Sequence, residues 1–162
     1  MITACELAGF CAAHAIWCVS DGETLIPMLA HATADGEREM HRFAADDLRT
    51  AVETGKRRLA DNEMDAGDAA LLYDGFITLG NDRLDAVIID IRCYAFPDAE
   101  AAIAVPYTPQ SSGEFRVHKP KLLTWRNCVD FDQRTALQAF FNGVGEHEPG
   151  SKVWSVSLDE SK

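Results

Sequence analysis

The stretch Asp68-Ala-Ala-Leu-Leu-Tyr-Asp74-Gly-Phe-Ile-Thr-Leu-Gly80-Asn-Asp82-Arg-Leu-Asp-Ala-Val-Ile-Ile-Asp90-Ile-Arg92-Cys-Tyr-Ala-Phe96 holds two β-rich runs around a Gly-Asn-Asp turn. The second run alternates apolar with polar side chains, the period of a strand with one buried face. The whole reads as a β-hairpin. Its odd positions (Leu71, Tyr73, Ile77, Leu79 and Val87, Ile89, Ile91, Cys93) are the more apolar set. A three-residue loop, Gly80 to Asp82, sets Leu79 opposite Arg83 and gathers both odd sets on one core face; a two-residue loop splits them. With the longer loop, Asp74, Asp90 and Arg92 share the other face, the two carboxylates as diagonal neighbours roughly 7 Å apart. That face also carries Leu72, Phe76, Ile88, Tyr94 and Phe96. It is too apolar to be fully solvated, so a helix, a second protomer or a ligand is expected to cover part of it.

The flanking sequence places the other elements. Residues 3–19 are Ala-rich and apolar over most of a helix's circumference, as a central helix is, with Thr3 and Glu6 at capping-box spacing. Thr24–Thr33 reads as a strand with Pro27 marking an edge or a bulge, and residues 34–37 as a turn. Residues 38–43 then return as a strand or continue as loop. Asp46 or Asp47 caps a helix to about Leu59, whose buried stripe is Leu48, Ala51, Val52, Gly55 and Leu59. A third run, Ala101–Tyr107, follows the hairpin, and Phe115–Trp125 is a strand interrupted by Pro120. Asp130 caps a helix with Gly143 at its C-terminal end. Lys152–Leu158 alternates and predicts a last strand. Short connections make neighbouring strands antiparallel. The expected fold is α+β: a single domain over residues 1–162, a mostly antiparallel sheet with about three helices packed on one side.

Composition sets the limits. The chain has 162 residues, 47% hydrophobic and 25% charged, an ordinary globular balance. Its net charge of −11 repels polyanions and argues against nucleic acid or an anionic membrane as partner. Arg116, His118, Lys119, Lys121 and Arg126 lie close in sequence and read as a solvated strand face. Five cysteines, none at C-x-x-C spacing, fit reduced buried thiols in a cytoplasmic protein. No Lys or Arg precedes the apolar run Leu7–Val19. At about thirteen residues it is read as too short to span a bilayer.

Chemistry is carried by few residues. Asp74 on one strand, with Asp90 and Arg92 at acidic-x-basic spacing on the next, resembles in outline the hairpin motif of the PD-(D/E)xK nucleases. There two carboxylates hold Mg²⁺ and a lysine helps activate water. The resemblance spans about twenty residues and implies Asp74 and Asp90 as metal ligands and Asp74, Asp90 and Arg92 as the catalytic set. The chain departs from the motif: Tyr73 stands for the Pro, Asp90 for the usual Glu, and Arg92 for the Lys, and arginine stays protonated. Cys11, His14 and Cys18 share a helical face but do not close a tetrahedron by themselves. His31, His41, His118 and His147 lack located carboxylate partners, and His147 reads as a solvated loop tip. The leading expectation is a non-enzymatic binding domain that takes a protein partner or a second copy of itself, with no cofactor. The alternative is a metal-dependent, nuclease-like hydrolase using Asp74, Asp90 and a divalent ion.

Overall fold

A computed structural model describes residues 1–33 and 36–161. In chain order the elements are α1 (Ile2–Ser20), β1 (Met28–Ala32), β2 (Arg38–Arg42), α2 (Leu48–Asp61), β3 (Asp68–Leu79), β4 (Asp82–Cys93), β5 (Glu100–Thr108), β6 (Arg116–His118), β7 (Lys121–Arg126), α3 (Gln133–Glu146), α4 (Glu148–Ser157) and β8 (Leu158–Asp159). The sheet runs β2-β1-β3-β4-β5-β6-β8, and β7 shares with β6 the free edge of β5. Every pairing is antiparallel except the two-residue contact of β6 with β8. The α+β class with a mostly antiparallel sheet is therefore the observed one. Ala34 and Asp35 of the expected turn at 34–37 lie outside the described residues.

The hairpin forms, but in the other register. Its turn has two residues, Gly80 and Asn81, so Leu79 pairs with Asp82 and Asp74 with Val87. Gly80 has φ 61°, the positive value that a type II′ turn requires at its first central position. This register splits the odd apolar sets between the two faces. The sheet tolerates the split because both faces are buried. Ala70, Leu72, Val87, Ile89 and Ile91 pack in the core cluster with α1, while Ala69 and Leu71 pack with Leu59 of α2. The expectation of one core face was the error, and with it went the three-residue loop. The helices number four among the described residues, and α2 lies on the face opposite α1.

α1 is the centre of the molecule. It lies between the sheet on one side and α3 and α4 on the other, and Ala4, Ala8, Ala12, Ala15 and Ile16 have no exposed surface. The apolar run is longer than its sequence reading: nineteen residues with a mean hydropathy of 1.5, enough by length and composition to cross a membrane. Of that apolar window 61% is buried inside the fold, which accounts for the composition of a core helix. The first turn starts at Ile2, and the Thr3 hydroxyl donates to Asp68 at the start of β3 instead of capping the helix. At the crossing of α1 and α3 two glycines let the backbones touch. A methyl group on Gly9 would stand 1.8 Å from the Phe140 carbonyl oxygen, and one on Gly143 would stand 1.9 Å from that of Glu6. Gly143 is thus inside α3, and Asp132, not Asp130, caps that helix by accepting from Thr135 N–H.

The predicted strand at 152–158 is helical up to Ser157, and only Leu158 enters a strand, the two-residue β8. His147 caps α4, its Nδ1 accepting from Gly150 N–H at 3.0 Å, Pro149 stands in the first turn, and Lys152 reaches Glu148 one turn back at 2.7 Å. The alternation of Trp154, Val156 and Leu158 was not a burial pattern, for Val156 is 83% exposed.

On the face covered by α2, two rows of cross-strand neighbours cross six strands. One is Glu39, His31, Ala69, Arg92, Glu100 and Arg126; the other is His41, Leu29, Leu71, Asp90, Ala102 and Thr124. The middle of both rows is apolar and sits under Leu59 of α2. Both ends carry polar side chains and border α2, Lys56 standing by Asp90 at one and Arg58 facing His31 at the other.

Candidate functional site

The β4–β5–β7 ends of these rows form a cleft of about 250 Å³ beside α2, lined by Lys56, Leu59, Asp90, Arg92, Glu100, Ala101, Ala102 and Thr124. Each side chain has a structural reason to be there. Asp90 and Arg92 are two apart on β4 and so share a face, and Glu100 is the β5 partner of Arg92. Lys56 comes down from α2, whose start is fixed by Asp47 accepting from Arg49 and Thr50 N–H. Ala102 on the floor, in place of a larger residue, leaves the space open.

The charges divide into two groups. Glu100 is saturated: Arg92 donates to it at 2.8 Å and Arg126 donates to its other oxygen. Asp90 is not. The Tyr73 hydroxyl donates to its Oδ2 at 3.3 Å, and Lys56 Nζ stands 3.9 Å from the same atom. Burial outweighs the pull of Lys56 and Tyr73 and holds the Asp90 carboxyl above its ordinary range. Hydrogen bonding to Tyr73 strengthens the hold of Lys56 on its proton, and the ammonium also lies 4.8 Å from the Tyr73 ring centre.

The sign of Asp90's contribution follows from that shift. A carboxyl whose folded-state pKa is raised contributes stability below its unfolded value of about 3.9 and loses it as pH rises through the folded value. Asp90→Asn removes the ionisation. The melting temperature of this variant, relative to wild type, is expected to increase from acid to neutral pH. A difference that stays flat over that range contradicts a buried, ionising Asp90.

The sequence-predicted trio is separated. Asp74 pairs with Val87 and Asp90 with Leu71, so the sheet itself stands between the two carboxylates. The shared face expected for Asp74 and Asp90 is thereby corrected: one ion cannot bridge them across the hairpin as the nuclease-like motif needs. Asp74 is on the α1 side near the sheet surface, its carboxyl partly buried and accepting from the Tyr107 hydroxyl at 2.8 Å. Desolvation raises its pKa, and raises that of Tyr107 as well. Arg92 stays with Asp90. Lys56, Tyr73, Glu100 and Thr124 were not among the candidate site residues read from the sequence. The pairing of β4 with β5, which brings Glu100 to Arg92, was not fixed by any local signal.

The Cys11, His14 and Cys18 stripe also divides. Cys11 is in the core, where burial pushes its thiol pKa up. His14 instead meets His147, Nδ1 to Nε2 at 3.1 Å, so His147 is half-buried and no loop tip. Burial lowers both pKa values and favours neutral rings. Counting protons then orients the chain. His147 Nδ1 accepts from Gly150 N–H, so its proton is on Nε2 and is donated to His14 Nδ1. The proton of His14 is then on Nε2, directed at Cys18 Sγ 3.7 Å away. Arg42 stands 3.0 Å from the same nitrogen and, being a donor, competes with that proton. Among the basic residues near the C-terminal half, His118 is buried against Thr108, while Arg116 and Arg126 are engaged by Glu114 and Glu100.

Comparison with protein-family models, with curated proteins and with solved structures finds no match.

Proposed function

We propose that the protein is a binding domain that seats a small zwitterionic ligand, of the amino-acid type, in the cleft between α2 and strands β4, β5 and β7. The observation that carries this reading is the gap of 3.9 Å between Lys56 Nζ and Asp90 Oδ2. Opposite charges at that separation attract but do not hydrogen-bond. Lys56 keeps donors to spare, and among the described residues Asp90 accepts a side-chain hydrogen bond only from Tyr73, at 3.3 Å. A carboxylate placed on Lys56 and an ammonium placed on Asp90 satisfy both at once. A cleft of about 250 Å³ suits a ligand smaller than a drug-sized molecule, which takes roughly 300–1,000 Å³. The saturated Glu100 bridge holds Arg92 and closes the floor on that side.

A lysine–aspartate pair near the surface can also exist with no ligand, and thermal shift separates the two cases. The common free amino acids are added one at a time in large excess, beside amine-only and carboxylate-only analogues. A ligand at a hundred times its Kd adds about 2.7 kcal/mol, which is roughly 5–10 °C for a chain of this size. The expected result is such a shift for one class of amino acid, lost in both Lys56→Met and Asp90→Asn. No shift with any of them, or a shift that survives both substitutions, overturns the reading.

A further inference from the structure

The opposite ends of the same two rows hold a second polar group. His31 on β1 and Glu39 on β2 are directly paired, and His41 is two residues beyond Glu39 on the same face. We propose that His31, Glu39 and His41 form a binding site for a zinc-class divalent ion at the β1–β2 edge, independent of the ligand cleft.

Three observations carry it. The first is distance. Glu39 Oε2 stands 3.6 Å from His31 Nε2 and 3.8 Å from His41 Nε2, and one ligand atom from each residue lies within 4.8 Å of the other two. Ligands at about 2.1 Å around a tetrahedral ion are roughly 3.4 Å apart, so shifts of a few tenths of an ångström bring Glu39 to each imidazole, and a turn of the half-exposed His41 ring closes the histidine pair. The contacts are too long for hydrogen bonds, so the three groups are assembled without bonding one another. The second is ring geometry. The two imidazoles are stacked, parallel within 4° with centres 5.4 Å apart, and each Nε2 is within 4 Å of the one carboxylate, so a rotation of the half-exposed His41 ring turns both nitrogens onto a common ion. The third is the state of His31. It is 5% exposed, and its Nδ1 has no hydrogen-bond partner among the described residues. Ligation through Nε2 keeps the ring proton on Nδ1 and leaves that atom as it stands; what the ion adds is a bond to Nε2, whose 3.6 Å contact with Glu39 is too long for a hydrogen bond.

The surroundings are compatible. An imidazole ligates in its neutral form, which already predominates near pH 7 at the ordinary histidine pKa of about 6.5. The cation facing His31, Arg58 of α2, is held by Glu63 at 2.8 Å, which offsets its repulsion of an ion. Glu39 and His41 are half-exposed, so an ion arrives from solvent. Two imidazoles and a carboxylate favour a first-row transition ion or Zn²⁺ over Mg²⁺ or Ca²⁺. Three protein ligands leave a position for water, the pattern of an open site.

The test is calorimetric titration of the chelator-treated protein with Zn²⁺, with Co²⁺ absorption as a second readout. One equivalent is expected to bind, Mg²⁺ gives no heat, and the Co²⁺ spectrum lacks a thiolate charge-transfer band. His41→Gln and Glu39→Gln, both half-exposed and compatible with folding, are each expected to weaken Zn²⁺ at least tenfold. Cys18→Ser and His147→Gln, in the other histidine cluster, should leave the affinity unchanged. Undiminished affinity in His41→Gln and Glu39→Gln would falsify the site, as would no binding by wild type or a thiolate band that Cys18→Ser removes.

Discussion

Gly9→Ala and Gly143→Ala each lower the melting temperature, although helix propensity alone predicts the opposite. Replacing a mid-helix glycine by alanine favours the helix by about 1 kcal/mol. Here the new methyl group would stand 1.8 Å from a backbone oxygen in one case and 1.9 Å in the other. A side chain could swing away, but a carbonyl cannot without moving α1 against α3. Overpacking costs about 1–3 kcal/mol even where side chains relax, and a rigid backbone contact belongs at or above the top of that range. The net loss is expected to be about 2 kcal/mol or more, or roughly 4–8 °C for a protein of this length. Neighbouring sites also predict a coupling. Once the first methyl has opened the crossing, the second meets less resistance, so the double variant loses less than the two losses combined. A rise in melting temperature for either single variant contradicts the close approach.

Phe140→Ala is expected to be more damaging still. The ring is fully buried, edge-on to Phe141 at 5.6 Å and to Trp154 at 6.4 Å, where α3 and α4 meet α1. Truncating a buried phenylalanine costs roughly 3–5 kcal/mol, a large part of the 5–15 kcal/mol that holds an ordinary domain together. Its neighbour Phe141 is 45% exposed and serves as the control, since Phe141→Ala removes the same atoms from a half-wet site. Denaturant midpoints for the two variants, with an unchanged slope, measure the difference. Equal losses would mean that α3 presents a different face to the core.

The sequence carried most of the elements and little of their arrangement. Asp47, with an apolar stripe behind it, specified α2 because caps and periodicity are local. Pro120 divided β6 from β7 for the same reason, since it lacks the N–H that a ladder needs. The hairpin's existence was legible, but its register was not. Register follows from which faces are buried, and α2's position over Leu71 is a long-range fact. The error then passed to the site. One residue more or less in the Gly80–Asp82 turn decides whether Asp74 and Asp90 face each other or the sheet divides them. α4 was misread because an alternation of Trp154, Val156 and Leu158 satisfies a strand template, while the helical signals, Pro149 and the Glu148–Lys152 spacing, precede it. His147 was placed in water because its partners, His14 and Gly150, become neighbours only when α4 folds against α1.

The central position of α1 also fixes the order in which the molecule can be completed. α3 begins 113 residues after α1 ends. At about 5–20 residues per second, a nascent chain therefore carries α1 for roughly 6–23 s before its covering helices are made. The sheet strands appear in between and shield one side only. During synthesis a nineteen-residue helix with the hydropathy of a membrane segment stands half-dressed, a substrate for whatever in the cell binds such helices. The glycine crossing that locks α1 to α3 can close only once residues 133–146 are made, so synthesis sets the earliest moment at which α1 is covered on that side.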